Sequence, residues 1–93
     1  MAEYLIYIVG AKPPNRDPYF DEKYIDKNPF GFKRKGVGWK WVSSGYGSFS
    51  LSPEIPGLQV EFHNKVSKKL QKETLAYIQS GIKENVEILQ LQS

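Results

Sequence analysis

The sequence predicts a single small α+β domain, with a mixed sheet of four to five strands and one main helix packed on one face. Three observations predict it. Several short segments are continuously apolar or alternate apolar with polar residues, which is typical of strands. One segment, about residues 64–80, repeats its apolar residues with a helical period. The chain has 93 residues, so one domain is expected to span residues 1–93.

The first and last predicted strands are the most apolar. Residues 4–9 are apolar at every position, and residues 86–91 are interrupted only by Glu87 and Gln90. Strands that are covered on both faces show such continuous runs. We therefore expect the terminal strands to be neighbours at the centre of the sheet.

The middle of the chain predicts a hairpin followed by a half-exposed strand. Residues 37–42 form the first arm, with Trp39 and Trp41 on one face, and residues 46–51 return after a turn. Apolar and polar residues then alternate over residues 58–62, which is typical of a strand with one face in the core.

Two segments predict helices. Asp17 followed by Pro18 is typical of a helix start, and predicts a short helix over about residues 18–27. An aromatic-rich loop is the alternative there. Residues 64–80 predict the main helix, which Gly81 is suited to end. Lysines crowd its polar side: Lys65, Lys68, Lys69 and Lys72.

Composition excludes several classes of protein. The chain has no cysteine, which excludes a disulfide scaffold and a thiolate metal site, and its single histidine has no second histidine or cysteine to join it at a metal site. No cofactor motif occurs. No stretch approaches the roughly 20 apolar residues of a spanning helix, and residues 4–9 are too short for the core of a signal peptide. We expect a cytoplasmic protein without a membrane partner.

The positive charge is concentrated in one segment. Residues 32–51 hold four cations and no anion, whereas the rest of the chain has no positive excess. The cations are interleaved with tryptophans, a combination that neutralises phosphates and stacks on bases of single-stranded nucleic acid. The predicted binding residues are Lys33, Arg34, Lys35, Trp39, Lys40 and Trp41. The alternative is that both tryptophans are core residues and the cations a solvated loop.

His63 is the one candidate for catalysis. A small metal-independent nuclease would use it as a general acid or base, with Glu61 on the same strand face. A cap or surface role is the alternative for a lone histidine.

We expect a non-enzymatic binding module, since an enzyme normally brings several acid or base groups together from separate segments. The sequence leaves the partner open between nucleic acid and protein. The protein-binding alternative is an inhibitor or immunity-type protein, or a phage-encoded interaction protein.

Overall fold

The computed structural model describes residues 2–10, 17–63 and 65–92. These residues form six strands and two helices, in the order β1 (Ala2–Ile8), α1 (Glu22–Asp26), β2 (Lys33–Arg34), β3 (Lys40–Ser43), β4 (Gly47–Pro53), β5 (Leu58–His63), α2 (Lys68–Ser80) and β6 (Val86–Gln92). The strands make one sheet in the order β2-β3-β4-β5-β1-β6. Every neighbouring pair is antiparallel.

The predicted α+β class is confirmed, while the details of the sheet are corrected. It has six strands rather than four to five, and its neighbours are antiparallel rather than mixed. The additional strand is β2, in which Lys33 pairs with Val42 and Arg34 with Trp41. A strand of two cationic residues has no apolar pattern that would predict it. β2 forms because β3 supplies the backbone groups with which it pairs.

The terminal strands are neighbours, but the prediction that both are central is wrong. β1 pairs with β5 on one side and with β6 on the other, so β6 forms an edge of the sheet. β6 is apolar on both faces, although the described residues cover only one of them. Val86 is buried and Ile88 packs against the core, whereas Leu89 and Leu91 are exposed.

Both helices are shorter than predicted. α1 begins after Asp21, whose carboxylate accepts a hydrogen bond from the Lys23 backbone N–H at 2.9 Å, and not after Asp17. α2 begins after Ser67, whose hydroxyl accepts from the Leu70 N–H at 3.1 Å. The predicted first residue of this helix, Asn64, lies outside the described residues. Gly81 directly follows the last residue of α2, as predicted, but it is the C-cap with a φ of −89° and not the left-handed C′ residue for which glycine is favoured.

The first arm of the hairpin also starts later than predicted, at Lys40 instead of Val37. Residues 36–37 form a turn. Gly36 adopts a φ of 68°, a backbone conformation that residues with a Cβ rarely adopt. The Lys35 N–H donates to the Lys40 carbonyl at 2.8 Å, so the β2–β3 pairing continues up to this turn.

The core lies between one face of the sheet and two covering elements. α2 contributes Leu75 and Ile78, which are both buried. Residues 17–32 cover the β3–β4 side of the sheet and contribute the buried side chains of Ile25 and Phe32. The ring of Phe32 is edge-on to that of Phe49, with the ring centroids 5.0 Å apart.

The opposite face of the sheet, called the open face below, is not packed against either helix. Its side chains are half-buried or exposed, apart from Ser48. No helix within the described residues has the length and apolar character needed to span a bilayer.

Candidate nucleic-acid interface

Trp41 belongs to the core. It has 0% exposed surface, and its ring stacks on Phe49 with centroids 5.3 Å apart. Its indole Nε1–H donates to Asp26 Oδ1 at 2.8 Å, so the one polar group of the side chain is satisfied by α1. Trp41 therefore has no ring surface to offer to a base.

Trp39 is partly exposed, at 38%. Its indole Nε1–H donates to Glu22 Oε2 at 2.5 Å, and its ring lies edge-on to Phe20 at 5.1 Å. Because alternate residues of a strand share a face, Trp39 is directed toward the helix side of the sheet, as Trp41 is. Its ring is thus held against α1 and the segment before it.

The charge of Arg34 is neutralised by two carboxylates of the same chain. Its Nη1 lies 2.8 Å from Glu22 Oε2 and its Nη2 lies 2.9 Å from Asp26 Oδ2. The two carboxylates are four residues apart, which places them on one side of α1. That spacing is the local signal in the sequence for a shared cation.

Three of the predicted cations remain exposed: Lys33, Lys35 and Lys40. Opposed residues of an antiparallel pair have side chains on the same face. Lys33 is opposite Val42, and Lys35 continues the same pairing opposite Lys40. Since Trp41 points into the core, its neighbour Lys40 points to the open face, and the other two lysines follow it.

A serine extends this cationic surface onto β4. Ser50 is opposite Lys40 and is half-buried. We call Lys33, Lys35, Lys40 and Ser50 the lysine face. Within the described residues, no carboxylate oxygen lies within 4 Å of any of its three ammonium groups. The three lysines are therefore exposed and not ion-paired within the described residues, although Glu61 lies opposite Ser50 on the same face. The predicted tryptophan rings lie on the other side of the sheet.

His63 lies at the border of this surface. It is on the open face of β5, opposite Ser48, and its Nε2 is 3.4 Å from Glu61 Oε1. The predicted proximity of Glu61 and His63 is thus present, and a catalytic role for His63 stays a prediction. Among the described residues, no group of three histidine, cysteine or acidic side chains comes together in a way that would hold a metal ion.

The contacts of Glu22 make it sensitive to pH in a predictable direction. The hydrogen bond from the Trp39 indole, and secondly the one from Arg34, hold the pKa of Glu22 below its ordinary value. A depressed folded-state pKa means that these contacts stabilise the fold above the ordinary glutamate pKa. The stabilisation is lost as the pH falls through the folded-state value.

We expect the Trp39 indole N–H resonance to move on acidification, with a midpoint below the usual glutamate range. The measurement is a pH titration of the indole region of a ¹H–¹⁵N NMR spectrum. In Glu22→Gln the carboxylate is absent, so this transition should vanish. A midpoint at or above the ordinary glutamate value would contradict the assigned contacts.

Comparisons with protein-family models, with curated proteins and with solved structures find no match for this chain. The geometry of the described residues therefore carries the functional proposal.

Proposed function

We propose that the chain is a non-enzymatic binding module that contacts the phosphates of single-stranded nucleic acid through the lysine face. The observation that supports this proposal is the common direction of Lys33, Lys35 and Lys40, on β3 and the segment paired with it, with no carboxylate oxygen within 4 Å of their ammonium groups among the described residues. Such unneutralised cations release counterions from a nucleic acid when they bind it.

The spacing of the three lysines suits a chain of phosphates. Residues two apart in a strand are separated by about 6.6 Å, and opposed residues on adjacent strands by about 5 Å. Lys33 and Lys35 are two residues apart in one extended segment, and Lys35 lies opposite Lys40 on the adjacent strand. Flexible lysine side chains at these distances reach neighbouring phosphates, and the Ser50 hydroxyl is a further donor of the kind that contacts phosphates.

The proposal differs from the sequence-based hypothesis in its residues. Trp41 and Arg34 are omitted, because one is sealed in the core and the other is paired with α1. Trp39 is omitted because its indole is directed to the helix side. Contacts to phosphates orient a protein on a nucleic acid but do not distinguish one base from another. We therefore expect binding that depends strongly on salt concentration and weakly on base composition.

The test is fluorescence anisotropy with a labelled single-stranded oligonucleotide. Three phosphate contacts on a single strand give a slope of about −2 in log affinity against log salt, so affinity should fall about 20-fold between about 50 and 200 mM salt. Replacing Lys33, Lys35 and Lys40 with alanine should remove most of this slope and most of the binding at low salt.

The matched control replaces Lys68, Lys69 and Lys72 of α2 with alanine. These lysines are also exposed, and the change in net charge is the same, but they lie on the helix layer. We expect this variant to retain the wild-type slope. Equal losses in both variants, or no binding by the wild type at low salt, would overturn the proposal.

The same samples test the nuclease alternative. After incubation the oligonucleotide should remain at full length on a denaturing gel. Cleavage that disappears in His63→Ala would contradict the non-enzymatic part of the proposal and would assign catalysis to His63.

A further inference from the structure

A second concave site lies on the helix side of the sheet, away from the lysine face. It is a pocket of about 320 Å³ between the segment that precedes α1 and the start of β3. Its lining consists of rings and carboxylates: Asp17, Pro18, Tyr19, Phe20, Glu22 and Trp39. This combination is unlike the cationic surface on the open face, because its ionisable groups are acidic.

The rings of the pocket are held at a fixed angle. Phe20 and Trp39 are inclined at 76° to each other, with centroids 5.1 Å apart. The hydrogen bond from the Trp39 indole to Glu22 fixes that ring, and Tyr19, at 71% exposure, stands at the rim. The negative faces of aromatic rings attract organic cations, and tryptophan does so most strongly.

Glu22 lines the pocket with a carboxylate of which one oxygen has no hydrogen-bond partner among the described residues. Both the Trp39 indole and the Arg34 guanidinium are bonded to Oε2. Within the described residues no hydrogen bond reaches Oε1, and the side chain is partly exposed. The hydrogen bonds from Trp39 and Arg34 lower the pKa of Glu22 further below neutral pH, where an ordinary glutamate is already ionised.

We infer that this pocket binds a small organic cation of the alkylammonium type, with its charge beside the Glu22 carboxylate and against the aromatic rings that line the pocket. The volume is at the lower end of small-molecule sites, and so fits a group the size of one side chain. The cation is either a free quaternary ammonium compound or the methylated lysine side chain of a protein. This inference is independent of the proposed contact with nucleic acid.

The test is an NMR titration with choline, followed through the two indole N–H resonances. The Trp39 resonance should shift saturably and that of the buried Trp41 should not. The uncharged analogue 3,3-dimethyl-1-butanol, which has nearly the same shape, should leave both in place. An unmoved Trp39 resonance, or equal shifts with the uncharged analogue, would overturn the inference.

Two variants locate the site. Tyr19→Ala removes an exposed ring and should weaken choline binding about two- to fivefold, the range for a cation–π contact at an exposed position. Glu22→Gln keeps the shape and removes the charge, and should weaken binding further. The matched control is Tyr46→Ala, an equally simple loss of an exposed ring outside this pocket, which should bind choline as the wild type does. Weakening by Tyr46→Ala equal to that by Tyr19→Ala would count against the site.

A peptide that carries trimethyllysine separates the two sources of the cation. Tenfold tighter binding of the peptide than of choline would assign the pocket to a protein side chain. Equal or tighter binding of choline would assign it to a free compound.

Discussion

Replacing Trp41 with alanine is expected to lower the free energy of unfolding by about 3–5 kcal/mol, the usual cost of removing a large aromatic side chain from a core. Trp41 is sealed between the sheet and α1, and it contacts both Phe49 and Asp26. Its loss leaves a cavity beside Phe49 and removes one of the bonds that hold α1 on the sheet. The measurement is urea unfolding followed by circular dichroism.

Trp39→Ala is the matched control for this prediction. It makes the same chemical change two residues away on the same side of the sheet, but at a partly exposed position. We expect a clearly smaller loss of stability, because less apolar surface returns to water. Equal losses for the two variants would contradict the assignment of Trp41 to the core and Trp39 to the pocket.

Gly57→Ala is expected to cost about 1–3 kcal/mol, the usual range for an overpacked site. A Cβ at this position would lie 2.5 Å from the carbonyl oxygen of Ile6 and 3.2 Å from the Ile6 carbonyl carbon. These are backbone atoms of β1, so the clash is relieved only if the connection before β5 moves away from β1. The pairing of Ile6 with Leu58 would then be disturbed.

The control for Gly57 is Gly45→Ala. A Cβ added at Gly45 meets no atom within 4 Å. We expect its free energy of unfolding to stay within about 0.5 kcal/mol of the wild type, as for most surface substitutions. Thermal or urea unfolding of the two variants side by side gives the comparison. A Gly57 variant as stable as the Gly45 variant would show that the β4–β5 connection does not press against β1.

Elements with a local signal could be predicted from the sequence. The alternation of Leu58, Val60 and Phe62 defines the core face of β5, and all three are buried. The helical period of α2 is likewise a property of neighbouring residues, whereas Gly81 lies so close to the Tyr24 ring that a Cβ there would be 2.5 Å from it. For β5 and α2 the pattern itself determines the structure.

The arrangement of the strands depends on partners far away in the sequence. β6 is apolar at most positions, a pattern that favours a central strand, yet it lies at an edge because no strand among the described residues pairs with its side away from β1. β2 exists only through its pairing with β3. Neither result can be derived from residues within the strand.

The candidate site likewise combines features that the local sequence predicts with features that distant residues determine. Alternation in β3 places Trp39 and Trp41 on one face, but their different exposure is set by Asp26, Glu22 and Phe20 from the covering segment. Arg34 looks equivalent to Lys33 and Lys35 in the sequence. It leaves the cationic surface because it alone, being opposite Trp41, points to the helix side where α1 supplies two carboxylates.

The central claim is that a nucleic acid meets the open face of β2–β4. The most direct measurement is a titration of the backbone amide NMR spectrum with a short single-stranded oligonucleotide at low salt. Shifts are expected at Lys33, Lys35, Lys40 and Ser50, with the amides of α2 unchanged. Shifts concentrated on α2, or a spectrum that does not respond to the oligonucleotide, would contradict the account.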